Sequence, residues 1–261
     1  MFVKSKESKQ FYIVRYFMDI SYKGTDYSGW QNQKGVETVQ GAIEHALTTL
    51  LKSKTPIMGS GRTDAGVHGT HQIAHFNLEK EIDIEALRYK LNAFLSKDIS
   101  INWIRPVRDN VNARFEANSR LYHYHIHQHK NPFKNELSYY YKYPINVESI
   151  NQACELIKGW KNFECFSKVH TEVNHFNCDI LEAKWTEENG IHLFQIKANR
   201  FLRGMVRAIV GTLLDIGEGK TSLEQLQEIL ESNNRSMAGR AVPATGLYLE
   251  KVEYPEDIFI S

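Results

Sequence analysis

Several large classes of protein are excluded by what this sequence lacks. No stretch approaches the roughly 20 consecutive apolar residues that a bilayer-crossing helix needs. The opening segment MFVKSKESKQ is polar and has no apolar centre, so no secretory leader is expected in it. Cysteine is scarce: Cys154, Cys165 and Cys178 form no CxxC pair and cannot all pair with one another, which points to free thiols in a reducing cytoplasm. With 16 glycines and 6 prolines in 261 residues, collagen-like and low-complexity chains are ruled out. Net charge is also nearly absent, 32 Lys and Arg against 31 Asp and Glu giving +1. That argues against indiscriminate coating of nucleic acid but leaves room for a localised basic groove, because binding follows the local field. No internal repeat is legible.

What remains is an ordinary globular composition, 42% hydrophobic and 24% charged. Its length suggests roughly two domains at ~150 residues each. After a polar lead-in over 1–10, Phe11 to Ser21 reads as a strand, followed by a turn-rich stretch with Gly24, Gly29 and Gly35. Thr38 is placed to cap a helix whose apolar face is Val39, Ala42, Ile43, Ala46, Leu47, Leu50 and Leu51. Asp83 starts a second helix, and Ser100 to Arg105 is a short strand. Leu121 to Gln128 reads as a strand, and Asn146 or Val147 opens a helix. A hairpin turns at Glu188-Asn189-Gly190. A helix is expected from about Phe201 to Ile216, another from a capping box at Thr221-Ser222-Leu223-Glu224, and a last strand over Leu247 to Glu253. Hairpins outnumber parallel crossovers, so the pattern reads as α+β with a mostly antiparallel sheet and two related halves, 11–108 and 109–254, before a tail at 255–261.

The densest chemistry is Gly59-Ser60-Gly61-Arg62-Thr63-Asp64-Ala65-Gly66-Val67-His68-Gly69, where four of the sixteen glycines fall within eleven residues. Glycines permit positive φ and let a ligand approach the backbone. The run lacks the Gly-Lys-Ser/Thr ending of a phosphate loop, and Asp64 would repel a phosphate. A carboxylate presented at a loop tip beside the Arg62 cation suits a nucleophile or base rather than a general acid. The plain alternative is a tight turn whose Asp bonds its own backbone.

A second signal lies in Lys197, Arg200, Arg203 and Arg207, with no acid between Gln195 and Leu214. Arg200, Arg203 and Arg207 fall at i, i+3 and i+7, one face of a helix, and such a stripe neutralises phosphates. Two rivals accompany this reading. His123, His125, His127 and His129 alternate on a strand and could present metal ligands on one face, or simply form a polar face opposite Tyr122, Tyr124 and Ile126. Cys165, His170, His175 and Cys178 match no strong zinc spacing. The other rival, a non-catalytic RNA-binding module, keeps the arginines but gives Asp64 no task, and an acid in an RNA groove weakens binding.

Residues 61–76, GRTDAGVHGTHQIAHF, resemble the signature of the tRNA pseudouridine synthase A family. Asp19 to Gln33, Asn112 to Tyr124, Phe201 to Gly211 and Gly246 to Leu249 agree with it in order, so the resemblance spans about residues 11 to 254. It implies the pseudouridine synthase fold, with a cleft between two halves, and an isomerase that needs no cofactor. Asp64 would be the essential aspartate, attacking ribose C1′ or removing a ribose proton. Arg62 would pair with it and help displace the base. Tyr122 would stack on the uracil and could take the C5 proton, and Arg207 would pair with the carboxylate. Lys197, Arg200, Arg203, His68 and His71 are candidate RNA contacts, although the two histidines read equally as turn or groove-wall residues. The implied partners are tRNA, at uridines 38, 39 and 40 of the anticodon arm, and a second copy of the chain in a homodimer. Two departures stand out: Gly204 occupies a place where a bulkier polar residue is common, and Trp160 to Phe166 follows the family pattern only loosely.

Overall fold

The computed structural model describes residues 13–79, 81–169 and 173–260. The expected lead-in over 1–10, the start of the first strand at Phe11, and His170 lie outside the described residues. One sheet carries the chain. Its strands are β1 (Val14–Tyr22), β2 (Met58–Gly59), β3 (His68–Leu78), β4 (Ile99–Val107), β5 (Ser119–His127), β6 (Tyr139–Tyr140), β7 (Ile180–Glu188), β8 (Ile191–Ala198) and β9 (Leu247–Glu253). The order is β4-β1-β3-β9-β5-β8-β7, with β2 added on β3 and β6 on β5. Pairing is antiparallel except for β5 with β6 and β3 with β9. The β3–β9 pair, His68 opposite Tyr248 and Gly69 opposite Leu249, is the seam at which strands from the two ends of the chain meet. The α+β class and mostly antiparallel sheet expected from the sequence are what the chain forms.

Five α-helices pack on the sheet: α1 (Val39–Leu51), α2 (Ile84–Phe94), α3 (Val147–Gly159), α4 (Met205–Gly217) and α5 (Leu223–Ser232). Local signals start most of them. The side chains of Thr38, Asp83 and Asn146 accept the amides of Gly41, Ala86 and Ser149, satisfying donors that a first helical turn leaves open. Two expectations are corrected. The capping box is Ser222 with Gln225, one residue later than the sequence suggested, because the Thr221 amide is drawn back to the Asp215 carbonyl. Helix α4 starts at Met205 rather than near Phe201, because Gly204 takes φ +73°, a left-handed conformation that ends the preceding loop. That also accounts for glycine at this position, since a bulkier residue would be strained there.

The period of two in β1 separates the two faces of the sheet. Tyr16, Met18, Ile20 and Tyr22 pack with α1 and α2 side chains in a core made of residues from the N-terminal part alone. A second core beneath α3, α4 and α5 draws on the C-terminal part, with Val67 as its one earlier contributor. The opposite face of the sheet joins the two: Phe17, Ile73, Val107 and Val111 meet Leu249, Val252 and Ile258. The tail belongs to this third cluster, with Phe259 bridged to Val107 and packed edge-on against Phe17 and Trp103. Among the described residues no helix is long and apolar enough to cross a membrane. All three cysteines are free and buried, and burial pushes the thiols of Cys154 and Cys165 up to about 12 and that of Cys178 to about 11.

Candidate active site

The glycine-rich loop joins β2 to β3 at the seam of the sheet, and hydrogen bonds tie down the backbone on both sides of Asp64. The Ser60 amide donates to the Ile73 carbonyl, and the Ser60 hydroxyl bonds the Gln72 side chain at 2.5 Å. Gln72 in turn donates to the Gly61 carbonyl at 2.9 Å. The Thr63 hydroxyl shares a 2.8 Å hydrogen bond with the Tyr22 hydroxyl, and the Trp30 amide donates to the Thr63 carbonyl. The turn around Gly24 and Gly29 presses directly on this loop. A Cβ on Gly24 would lie 1.9 Å from the Val67 carbonyl oxygen, and one on Gly29 would lie 2.6 Å from that of Thr63. Gly29 also has φ +91°, a region costly for any other residue. Gly29→Ala is therefore expected to shift the Asp64 loop, costing about 1–3 kcal/mol in a thermal melt. It should also lower turnover about tenfold or more at saturating substrate, since misplaced groups lose rate steeply.

Asp64 sits at the loop tip with its side chain 30% exposed. Arg203 Nε lies 3.7 Å from its Oδ1, and Arg207 Nη1 lies 3.7 Å from its Oδ2. Both cations come from the far side of the seam, so the carboxylate of one half is faced by two guanidinium groups of the other. At this distance neither makes a direct hydrogen bond. Arg207 is held firmly: its Nε donates to the Val242 carbonyl at 2.6 Å, and its own carbonyl accepts the Val242 amide. Arg203, on the loop before α4, is 61% exposed against 23% for Arg207. Tyr122, on β5, completes the cluster. It is partly buried and meets the Phe201 ring edge-on at 5.1 Å. Burial pushes its phenol up to about 12, with Arg120 opposing and the Asp64 charge adding to the rise.

Other candidates fall elsewhere. Arg62 is exposed, and among the described residues the ion pairs of Asp64 go to Arg203 and Arg207 instead. Arg200 lies on the loop and reaches His175, so Arg200, Arg203 and Arg207 do not form a stripe on one helix. Lys197, on β8, is held by Glu253 of β9 at 2.8 Å and by Glu182 of the adjacent β7 at 3.7 Å, which neutralises it as a phosphate contact. Hydrogen bonds from Lys197 and then Ser119 hold the Glu253 carboxyl down at about 2.

His68 is buried. The Gly24 amide donates to its Nδ1 at 3.2 Å, which leaves the proton on Nε2 for the Thr245 carbonyl at 3.2 Å. It also stacks on Tyr248, so both ring nitrogens serve the seam and none is free for RNA. His71 sits on the sheet face opposite the helices and bonds buried Asp19 at 2.9 Å.

The alternating histidines do not converge. His123 faces Gln195 and Glu250, His125 packs on Tyr248, His127 is buried against Ser138, and His129 is exposed. Among the described residues, no three His, Cys, Asp or Glu side chains are grouped to hold a metal ion.

The comparisons with known proteins agree on one family. A family model described as tRNA pseudouridine synthase matches residues 19–116 and 153–255. A protein named tRNA pseudouridine synthase A from Parabacteroides distasonis is 45% identical over 246 residues, covering 94% of this chain and 98% of its own. Its namesake in Porphyromonas gingivalis is 43% identical over 252 residues, 95% of this chain and 100% of its own. The Bacillus subtilis protein of that name is 40% identical over 239 residues, 90% and 97% respectively. The family model takes in the Asp64 loop and the start of α4, and each relative's match covers nine-tenths or more of this chain; the chain therefore belongs to the tRNA pseudouridine synthase family of isomerases.

Proposed function

We propose that this chain isomerises uridine to pseudouridine in the anticodon arm of tRNA, at positions 38, 39 and 40, with Asp64 as the essential group. The observation that carries the reading is a carboxylate on a rigid loop, met by Arg203 and Arg207 from across the seam, with Tyr122 beside it. The reaction breaks the C1′–N1 bond, turns the uracil and joins C5 to C1′; C5 gives up a proton and the freed N1 gains one. Atoms and electrons balance within the nucleotide, so no redox partner is called for. Asp64 acts at the ribose, as nucleophile on C1′ or as base toward a ribose proton.

The target base must leave the helical stack, at a cost of a few kcal/mol, and an aromatic or guanidinium surface offsets the lost stacking. Tyr122, with the Phe201 ring against its side, supplies such a surface. A phenol pushed up to about 12 stays neutral near pH 7, which favours stacking and hydrogen-bond donation over proton abstraction at C5.

In this reading the cleft lies between the halves 11–108 and 109–254, and tRNA is read by shape and phosphate contacts. The proposal extends to a homodimer working in the cytoplasm, where its substrate is found. Arg203, exposed beside Asp64, is the cation best placed to meet a phosphate next to the flipped base. Arg203→Ala is expected to raise KM about tenfold and to reduce the salt slope of binding by about one, with a smaller change in kcat. Steady-state kinetics at two ionic strengths checks this; the reverse pattern would make Arg203 an aligning group for Asp64. Carbodiimide mapping of treated tRNA transcripts tests the substrate assignment. Adducts at 38, 39 and 40 support it, and adducts confined to other positions refute it.

A further inference from the structure

Arg120 is the most heavily engaged cation near the site, yet none of its four bonds goes to an acid. Its Nη1 donates to the carbonyls of Ala117 at 3.0 Å and Asn199 at 2.8 Å. Its Nη2 donates to those of Ser60 at 3.2 Å and Arg114 at 2.7 Å. A guanidinium carries four terminal N–H groups, and all four are used on main-chain oxygens. Those oxygens belong to three separate segments. Ser60 stands four residues before Asp64, Asn199 stands four before Arg203, and Ala117 and Arg114 lie on the connection leading into β5. Arg120 itself is two residues before Tyr122, on the same strand.

The surroundings reinforce the arrangement. Tyr254 closes over this point, its hydroxyl donating to the Ala113 carbonyl at 2.5 Å. Three of these bonds are partly buried, where a backbone oxygen left without a donor is costly. A lysine ammonium has three N–H groups on a single atom and cannot span four oxygens arranged around a planar fork.

We propose that Arg120 is a positioning residue for the isomerisation, fixing the Asp64 loop relative to the Arg203 loop and Tyr122 through four backbone hydrogen bonds. The proposal rests on the reading of Asp64 as the reacting group. Without the fork, each loop keeps its own local bonds but the two lose their common reference. The effect should therefore fall on the chemical step rather than on tRNA capture.

The test uses the full chain as the parent, Arg120→Lys and Arg120→Ala, with single-turnover rates, tRNA affinity and thermal melts. Both variants are expected to fold, to bind tRNA within about threefold of the parent, and to react at least about 30-fold more slowly. Millimolar guanidinium chloride should restore about tenfold or more of the rate to Arg120→Ala and none to Asp64→Asn, because only the former lacks a guanidinium. A parental rate in Arg120→Lys overturns the proposal. So does failure of both variants to fold, which would make Arg120 a residue of the fold, and so does loss of affinity without loss of rate. A parent that binds tRNA without turnover refutes the functional reading itself, a result independent of either Arg120 variant.

Discussion

Asp64→Asn is expected to lower turnover by about a thousandfold or more while tRNA affinity stays within about threefold. The substitution keeps the size of the side chain and removes its charge, so the loop bonds from Ser60, Gln72, Thr63 and Trp30 are untouched. What is lost is the group that acts on the ribose. Affinity is insensitive, or slightly improved, because a carboxylate inside an RNA-binding cleft repels phosphate. Filter binding alongside single-turnover kinetics separates the two effects. Turnover near the parental level would remove Asp64 from the mechanism.

Arg207→Ala should produce the next largest loss, about 100-fold in kcat with KM within a few-fold. Its side chain is anchored by the Val242 carbonyl and faces Asp64 at 3.7 Å, so it arrives at the reacting centre already oriented. Its removal also leaves the Val242 carbonyl without that donor, which costs about 1–3 kcal/mol. The contrast with Arg203 is the informative part. The more exposed arginine should act on KM and salt dependence, the anchored one on kcat. Equal effects of the two on KM would show that both serve mainly as phosphate contacts.

The parts of this site that were legible in the sequence are those written in neighbouring residues. Thr38, Asp83 and Asn146 cap helices because the cap and the amide it satisfies lie three residues apart. The Asp64 loop with its run of glycines and the hairpin turn, whose Asn189 and Gly190 take positive φ, are equally local. Misreadings came where spacing competes with geometry or where partners are distant. The i, i+3, i+7 pattern of Arg200, Arg203 and Arg207 reads through Gly204, whose left-handed backbone starts the helix only at Met205. Arg62 is near Asp64 in sequence yet exposed, while the cations that face Asp64 arrive from across a parallel strand pair that no local pattern announces. Lys197 looks unopposed along its own strand, but Glu182 stands opposite it on β7 and Glu253 reaches it from β9, two strands away on the other side. His68 looks like a loop residue ready for RNA, and its burial follows only from the seam that closes over it. The hint of Arg120 in the sequence is a charged side chain just ahead of the strand-like run that carries Tyr122, and the structure takes it into β5.

The most direct test of the central claim is tritium release from unmodified tRNA transcripts labelled at C5 of uridine, with Asp64→Asn as control. The account predicts release by the parent chain, none above background by the variant, and the new carbon–carbon nucleoside at the positions that lost label. Binding of tRNA by a folded parent chain with no release of tritium would contradict it.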